Sequence, residues 1–396
     1  MSLDLTKVAA QVGEMIAGLK DSRAERDRRL HFALETLGSP AIDLDALKKK
    51  VKAGKTTWLV AELTEGLNKR YPAPSTPADF TVLATDGSHI DVDRHRAARC
   101  YLINIGAVAI SYGSQPEASL SSNPRLYSDD KDLAISAPGG GREQIIEGAL
   151  LGAKRSVEEC RRLASLAATL PMNGSALALL DGTLILWGLE AYPDFVRDAL
   201  VAGGLLPCLD AMKKLNNGRK LALASYISFP RSTDVVNVLR VAVCPNDIPD
   251  CDKQCPKDRA CDGLAGVRDR DIFTELLDNR ERSALFISPS KIVKELYGEH
   301  QIYFFYLKSG EEIARVEVPQ WVAENEDLLN LTHSLVLDQC RRGHGYPVAL
   351  SEAHEQAVVT GADRENFQEL IESTLIEEHL PNPSSGKSFS KRTRWV

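Results

Sequence analysis

The chain predicts a mixed α/β fold, a sheet with flanking helices, on three observations. β-branched and aromatic runs recur between residues 80 and 319, helical periodicities lie among and around them, and the two kinds of segment alternate instead of segregating. With 396 residues, 43% of them hydrophobic, there is material for one large domain or two ordinary ones.

Residues 1–70 read as an N-terminal helical region. Val8, Val12, Met15, Ile16 and Leu19 recur at spacings of three and four, and Leu30, Leu34 and Leu37 follow after a charged stretch. Such a stripe suits a core face or a partner helix. The proline-rich YPAPSTPADF (71–80) cannot continue a helix and marks the boundary of a domain expected over 78–380. FTVLATDGS and ARCYLINIGAVAISYG then open a sheet as a hairpin or meander. Residues 142–170 read as one helix with Ile146, Ala149, Leu150, Ala153, Val157 and Cys160 on one face. ALALLDGTLILW (176–187) fits a buried central strand, and KLALASYIS, HQIYFFYLK and IARVEVP are further strands. Helices are expected at about 324–342 and 349–376, a Cys-rich insertion at 241–270, and an extended basic tail at 381–396.

A net charge of -7 argues against a protein that coats nucleic acid or anionic membrane over its whole surface, so any nucleic-acid site is confined to a patch. The first residues lack a continuous secretory apolar core and no later run reaches membrane-spanning length, so a cytoplasmic protein that does not span a membrane is expected. Eight cysteines are present, and Cys244, Cys251, Cys255 and Cys261 crowd into a C-x6-C-x3-C-x5-C segment. In a reducing compartment that crowding points to a metal rather than to disulfides.

Two strands end alike, in TDGS at Asp86 and LDGT at Asp181. Asp-Gly alone is an ordinary turn dipeptide. A pair at the ends of apolar strands can converge instead, and a divalent cation such as Mg²⁺ or Mn²⁺ would neutralise it through oxygen ligands. Two such ions about 4 Å apart can activate water and stabilise the departing oxygen of a phosphodiester. For a third acid the expected helix offers Glu147, with Glu143 one turn earlier as the fallback. In HGYPVALSEAHEQA, His354 follows Tyr346 by eight residues and could reach a metal, with Glu352 and Glu355 as alternative ligands. A lone histidine in this setting is more often structural.

Taken in order, ATDGS, ALLDGTLILW, SYISFPRS, YFFYLKSGEEIARVEVPQW, GYPVALSEAHEQAV and SSGKSFSKR resemble the NurA nuclease family from about residue 78 to the C-terminus. The resemblance implies an RNase H-like mixed sheet carrying metal-binding acids. It also implies a Mn²⁺-dependent DNA nuclease, with single-strand endonuclease and 5′ to 3′ exonuclease activity, that works as a homodimer with a hexameric HerA-type ATPase in DNA end resection and repair. Asp86 matches the family's first metal aspartate, Asp181 the second, His354 the metal histidine and Tyr346 the active-site tyrosine, with Glu147 the candidate for the helix glutamate. Arg231, Lys308, Arg315, Lys387, Lys391 and Arg392 are candidate DNA-binding cations, although each singly is more often a plain surface charge, and Phe389 and Trp395 could stack on bases.

The four-cysteine segment departs from the family pattern. Its spacing differs by one residue from the C-x6-C-x2-C-x5-C of iron-sulfur DNA glycosylases, so a [4Fe-4S] cluster or Zn²⁺ is expected there. Two rival readings remain: a catalytically silent subunit docking on an ATPase through its N-terminal helices, and a metal-dependent phosphatase or RNase on the same scaffold.

Overall fold

The apolar run that ends in TDGS becomes the strand Phe80–Ile90, β1, at the centre of a five-stranded array. It pairs antiparallel with Tyr101–Tyr112 (β2), Phe80 opposite Tyr112 and Ile90 opposite Leu102, and β2 pairs antiparallel with Glu117–Tyr127 (β3). On its other side β1 runs parallel to Ser175–Asp181 (β4), which runs parallel to Lys220–Ile227 (β5). The order is therefore β3-β2-β1-β4-β5, and it is mixed, as the alternating sequence requires. The interiors of β4 and β5 are continuously buried, which accounts for their unbroken apolar sequences. The strand β3 was not expected from EASLSSNPRLY. It lies last in the order, where polar side chains and a proline are tolerated.

The structure is a computed structural model that describes residues 4–40, 42–92, 99–172, 174–216, 218–255 and 259–381. The chain divides into two units, one of Met1–Pro72, Ser228–Pro289 and Phe304–Arg315, the other of Ala73–Ile227, Ser290–Tyr303 and Val316–Val396. The array above belongs to the second, with helices Ala149–Ala168 (α1), Glu326–Arg342 (α2) and Val348–Ala357 (α3). Its core joins Leu83 and Ile103 of the sheet to Leu150, Val157, Cys160 and Leu163 of α1.

In the first unit the N-terminal helices share a core with a later segment: Ala33, Leu37 and Leu47 cluster with Val235, Leu239 and Phe273. They are thus not a free-standing extension. Helix Leu5–Asp21 buries no residue and exposes Val12, Met15, Ile16 and Leu19. No described helix is long and apolar enough to cross a membrane.

Three expected elements change. The helix drawn from residue 142 begins only at Ala149, because Glu143–Ile145 pairs as a short strand with Ala134–Ser136 and Gly148 turns the chain at φ +55°. The strand through 187 stops at Asp181, where Gly182 adopts φ +82°. The helix drawn over 349–376 is two helices, α3 and Gly361–Glu377, the latter started by a Thr360–Asp363 capping box.

Candidate active site

Parallel pairing of Thr85 with Leu180 brings Asp86 and Asp181 to the same end of neighbouring strands. Each carboxylate accepts a hydrogen bond from the next glycine's N–H, at 2.8 Å from Gly87 and 3.0 Å from Gly182. Directly opposite Asp86 on β2 stands Gly106. A Cβ there would lie 2.0 Å from the carbonyl oxygen of Ala353 and 2.6 Å from the nitrogen of Ala357. Only a glycine lets α3 come this close, and that approach delivers His354, whose Nδ1 is 2.7 Å from Asp86 Oδ2. Asn104 donates to the carbonyls of Gln356 and Ala357 at 3.1 and 3.0 Å, and Ser88 donates to the latter, pinning the end of the helix. At its beginning, Gln339 of α2 accepts from the Ala349 N–H at 3.1 Å.

Tyr346 reaches the site through a tight turn. A Cβ at Gly343 would meet the Tyr346 carbonyl oxygen at 2.0 Å, and His344 and Gly345 adopt φ of +55° and +119°. The Tyr346 ring packs edge-on to buried Tyr226 at 5.6 Å, and its hydroxyl donates to Asp181. Burial pushes the Asp181 carboxyl up, with Asp86 adding to the shift, while the Tyr346 hydrogen bond works in the opposite direction.

A third carboxylate faces the pair. Glu159 of α1 lies against β1, where a Cβ on Gly87 would come within 2.5 Å of its Oε1, and Thr85 Oγ1 donates to its backbone carbonyl at 3.0 Å. Its side chain is buried, and Arg155 Nε lies 3.0 Å from Oε1 as its ion-pair partner. Burial pushes its pKa up to about 8 against the pull of the Arg155 charge, and the charges of Asp86 and Asp181 raise it further.

The acids chosen from the sequence lie elsewhere. Glu147 lies in the loop before α1 and Glu143 in the short strand, neither on the helix face that meets β1. Glu159 looked like one of two adjacent surface acids in RSVEECRRL; its only distinguishing signal was its place beside Cys160 on the buried stripe. A second unanticipated carboxylate is Glu317 on strand Glu312–Pro319, buried, accepting from Thr183 Oγ1 at 2.7 Å and the Leu184 N–H at 3.0 Å. It holds the loop that leaves Asp181.

Of the candidate DNA-binding cations, Arg231 is exposed. Lys308 is not available as expected, because its Nζ donates to the carbonyls of Thr274 and Leu277 at 2.6 and 2.8 Å, closing the end of helix Asp269–Leu276. Arg315 is buried, 2.7 Å from Asp234 and 3.6 Å over the Phe304 ring, so it neutralises an internal acid instead of meeting solvent. Lys387, Lys391 and Arg392 lie outside the described residues. Cys244, Cys251, Cys255 and Cys261 are free thiols.

Among the described residues, one group of three or more His, Cys, Asp and Glu has all its ligand atoms within 4.8 Å of one another: Asp210, Glu299 and His300. Its members are already matched internally, His300 Nε2 with Asp210 at 2.8 Å and Glu299 with Lys213 at 2.6 Å. The ligand atoms of the acids around Asp86 stand farther apart than that.

No curated protein matches the chain. A solved structure described as NurA with manganese aligns with a TM-score of 0.41 and 11% identity over 89% of this chain and 98% of that one. The family model for the NurA domain matches residues 80–359, well over half of the chain and the whole span from Asp86 to His354, and the chain belongs to the NurA family.

Proposed function

We propose that the chain is a metal-dependent DNA nuclease that hydrolyses phosphodiesters at Asp86, Glu159, Asp181 and His354. Family membership supports a nuclease-type role. The observation that carries the reading is that two strand-end carboxylates and a buried helix carboxylate face the same region, with His354 bonded to the first of them. That donor set fits a hard divalent cation, Mn²⁺ or Mg²⁺, which when bound would polarise a phosphoryl oxygen and lower the pKa of water. The histidine is oriented by Asp86, and a proton on Nδ1 in that hydrogen bond leaves the Nε2 lone pair as a ligand. Tyr346, anchored on Asp181, is placed to orient a phosphate oxygen or the attacking water. A strand meander followed by two parallel strands, with acids on adjacent strand ends, supports the RNase H-like description.

Single-strand endonuclease and 5′ to 3′ exonuclease action, dimerisation and work with a HerA-type ATPase in end resection belong to the same proposal through the family resemblance. Arg231, Lys387, Lys391 and Arg392 are the cations proposed to hold DNA phosphates. One observation favours the second reading, a docking subunit without catalysis: the exposed apolar residues Val12, Met15, Ile16 and Leu19 of helix Leu5–Asp21.

The test is cleavage of end-labelled single- and double-stranded DNA, with RNA and nucleotides in parallel, in Mn²⁺, Mg²⁺ or EDTA. Metal-dependent DNA cleavage that is lost in Asp181→Asn, His354→Ala and Glu159→Gln but kept in Glu147→Gln is expected. Cleavage unchanged in all variants would sink the site. No cleavage by the wild type, even with its ATPase, would leave the docking reading.

A further inference from the structure

The four clustered cysteines play no part in the nuclease reading and lie in the other unit. They sit in a segment that has little else to order it. Between Cys244, just past helix Asp234–Ala242, and Cys261, on the 3-10 turn Ala260–Leu264, the described residues form no helix or strand beyond one isolated bridge of Asp250 to Lys55. Pro249 is the only buried residue among them, and Ile248, the one large aliphatic side chain, is 58% exposed. A long loop without a core has little burial to set against the conformational entropy of fixing it.

Two of its thiols nevertheless meet. The thiol of Cys251 is in hydrogen-bond contact with that of Cys255 and within electrostatic reach of that of Cys261, and the Thr57 N–H points at the Cys251 sulfur. The Arg259 guanidinium stands within electrostatic reach of Cys261 and Cys255. Backbone bonds bring the loop's middle to a fixed place: the Lys55 N–H donates to the Pro249 carbonyl at 2.7 Å and the Cys251 N–H to the Lys55 carbonyl at 3.0 Å. Lys50 Nζ donates to the carbonyl of Cys244 at 2.5 Å, holding the loop's entry. Thiolate is the metal-binding form of cysteine. The Cys251-x3-Cys255 pair has the short spacing of a structural metal knuckle.

We infer that Cys244, Cys251, Cys255 and Cys261 form a four-thiolate metal centre that staples this loop, occupied by a zinc ion or an iron-sulfur cluster. The shared chemistry is tetrahedral thiolate donation, and the binding free energy replaces the core the loop lacks. All four are free thiols.

The experiment is metal and acid-labile sulfide analysis of the full chain, purified without air and desalted through EDTA to remove loosely held divalent ions. The wild type is compared with Cys251→Ser, Cys255→Ser and, as a control elsewhere in the fold, Cys100→Ser. About one zinc per chain, or iron with matching sulfide and visible absorbance, is expected in the wild type and control, falling to trace in the other two. Because a loop variant could fail to fold, thiol reactivity is also followed in the native wild type. The four loop thiols should stay unreactive toward a thiol reagent in the native protein and become reactive once acid and chelator remove the metal, with a fall in melting temperature on removal. Zinc and iron with sulfide are told apart by the same analysis, and either supports the centre. Wild-type protein without stoichiometric metal, or metal retained in Cys251→Ser and Cys255→Ser, would overturn it.

Discussion

Replacing Glu159 with glutamine should remove the pH dependence of one part of this protein's stability. In the metal-free protein the carboxyl has its pKa pushed up to about 8 from 4.5, by burial first and then by the charges of Asp86 and Asp181. Between those values the folded chain keeps a proton that the unfolded chain has released, so folding binds protons and stability falls as pH rises. The contribution is fully present below the unfolded value of 4.5 and is lost as pH rises to about 8. At 1.36 kcal/mol per unit the loss amounts to about 5 kcal/mol over the whole range, and about 2–3 kcal/mol between about pH 6 and about pH 8.5. Glutamine keeps the shape and has no proton to lose. Urea unfolding in EDTA at those two pH values should therefore show the variant gaining about 2–3 kcal/mol on the wild type as pH rises. Added Mn²⁺ should stabilise the wild type and have much less effect on the variant. Parallel stability curves would mean that Glu159 is not a desolvated acid beside Asp86, and the reasoning about the site would fail with it.

The other expectations concern geometry and charge. Gly106→Ala must open a 2.0 Å contact with the Ala353 carbonyl by more than an ångström; it should cost about 1–3 kcal/mol in unfolding measurements and lower metal-dependent cleavage by displacing His354. Tyr346→Phe removes the hydrogen bond that holds the Asp181 carboxyl down, so the acidic limb of the pH-rate profile should move upward while the fold survives. Arg315→Met strips buried Asp234 of its partner and should cost about 3–5 kcal/mol without changing the salt dependence of DNA binding. Neutralising Lys387, Lys391 and Arg392 together should leave stability unchanged and reduce the slope of log affinity against log salt for single-stranded DNA by about 2.

The strands that carry the site were readable because burial leaves a local mark. The apolar runs before Asp86 and Asp181 had to be covered on both faces, and the glycine after each acid marked where the chain turned. Tyr346 and His354 were noticed for their residue types, since they stand together in one short segment. The expected helix acid fell outside the helix because periodicity locates a helix more securely than it locates the helix's first residue. Glu147 was preferred on a helix that does not begin until Ala149, while Glu159 resembled any exposed acid among arginines.

What the sequence by itself determined was the alternation of elements, the two strand-end acids, the family and the cysteine spacing, all of them properties of neighbouring residues. The tertiary structure alone decided which distant groups meet. Glu159 became a buried acid because Gly87, 72 positions away along the chain, leaves room for it, and His354 reached Asp86 because Gly106 admits a helix backbone. Lys308 and Arg315, alike in sequence to any surface cation, acquired internal partners from helices distant in the chain. Local pattern encodes which apolar runs are to be buried; the burial of Glu159 and Arg315, and the partners that buried groups meet, depend on contacts between remote segments, and no local window contains them.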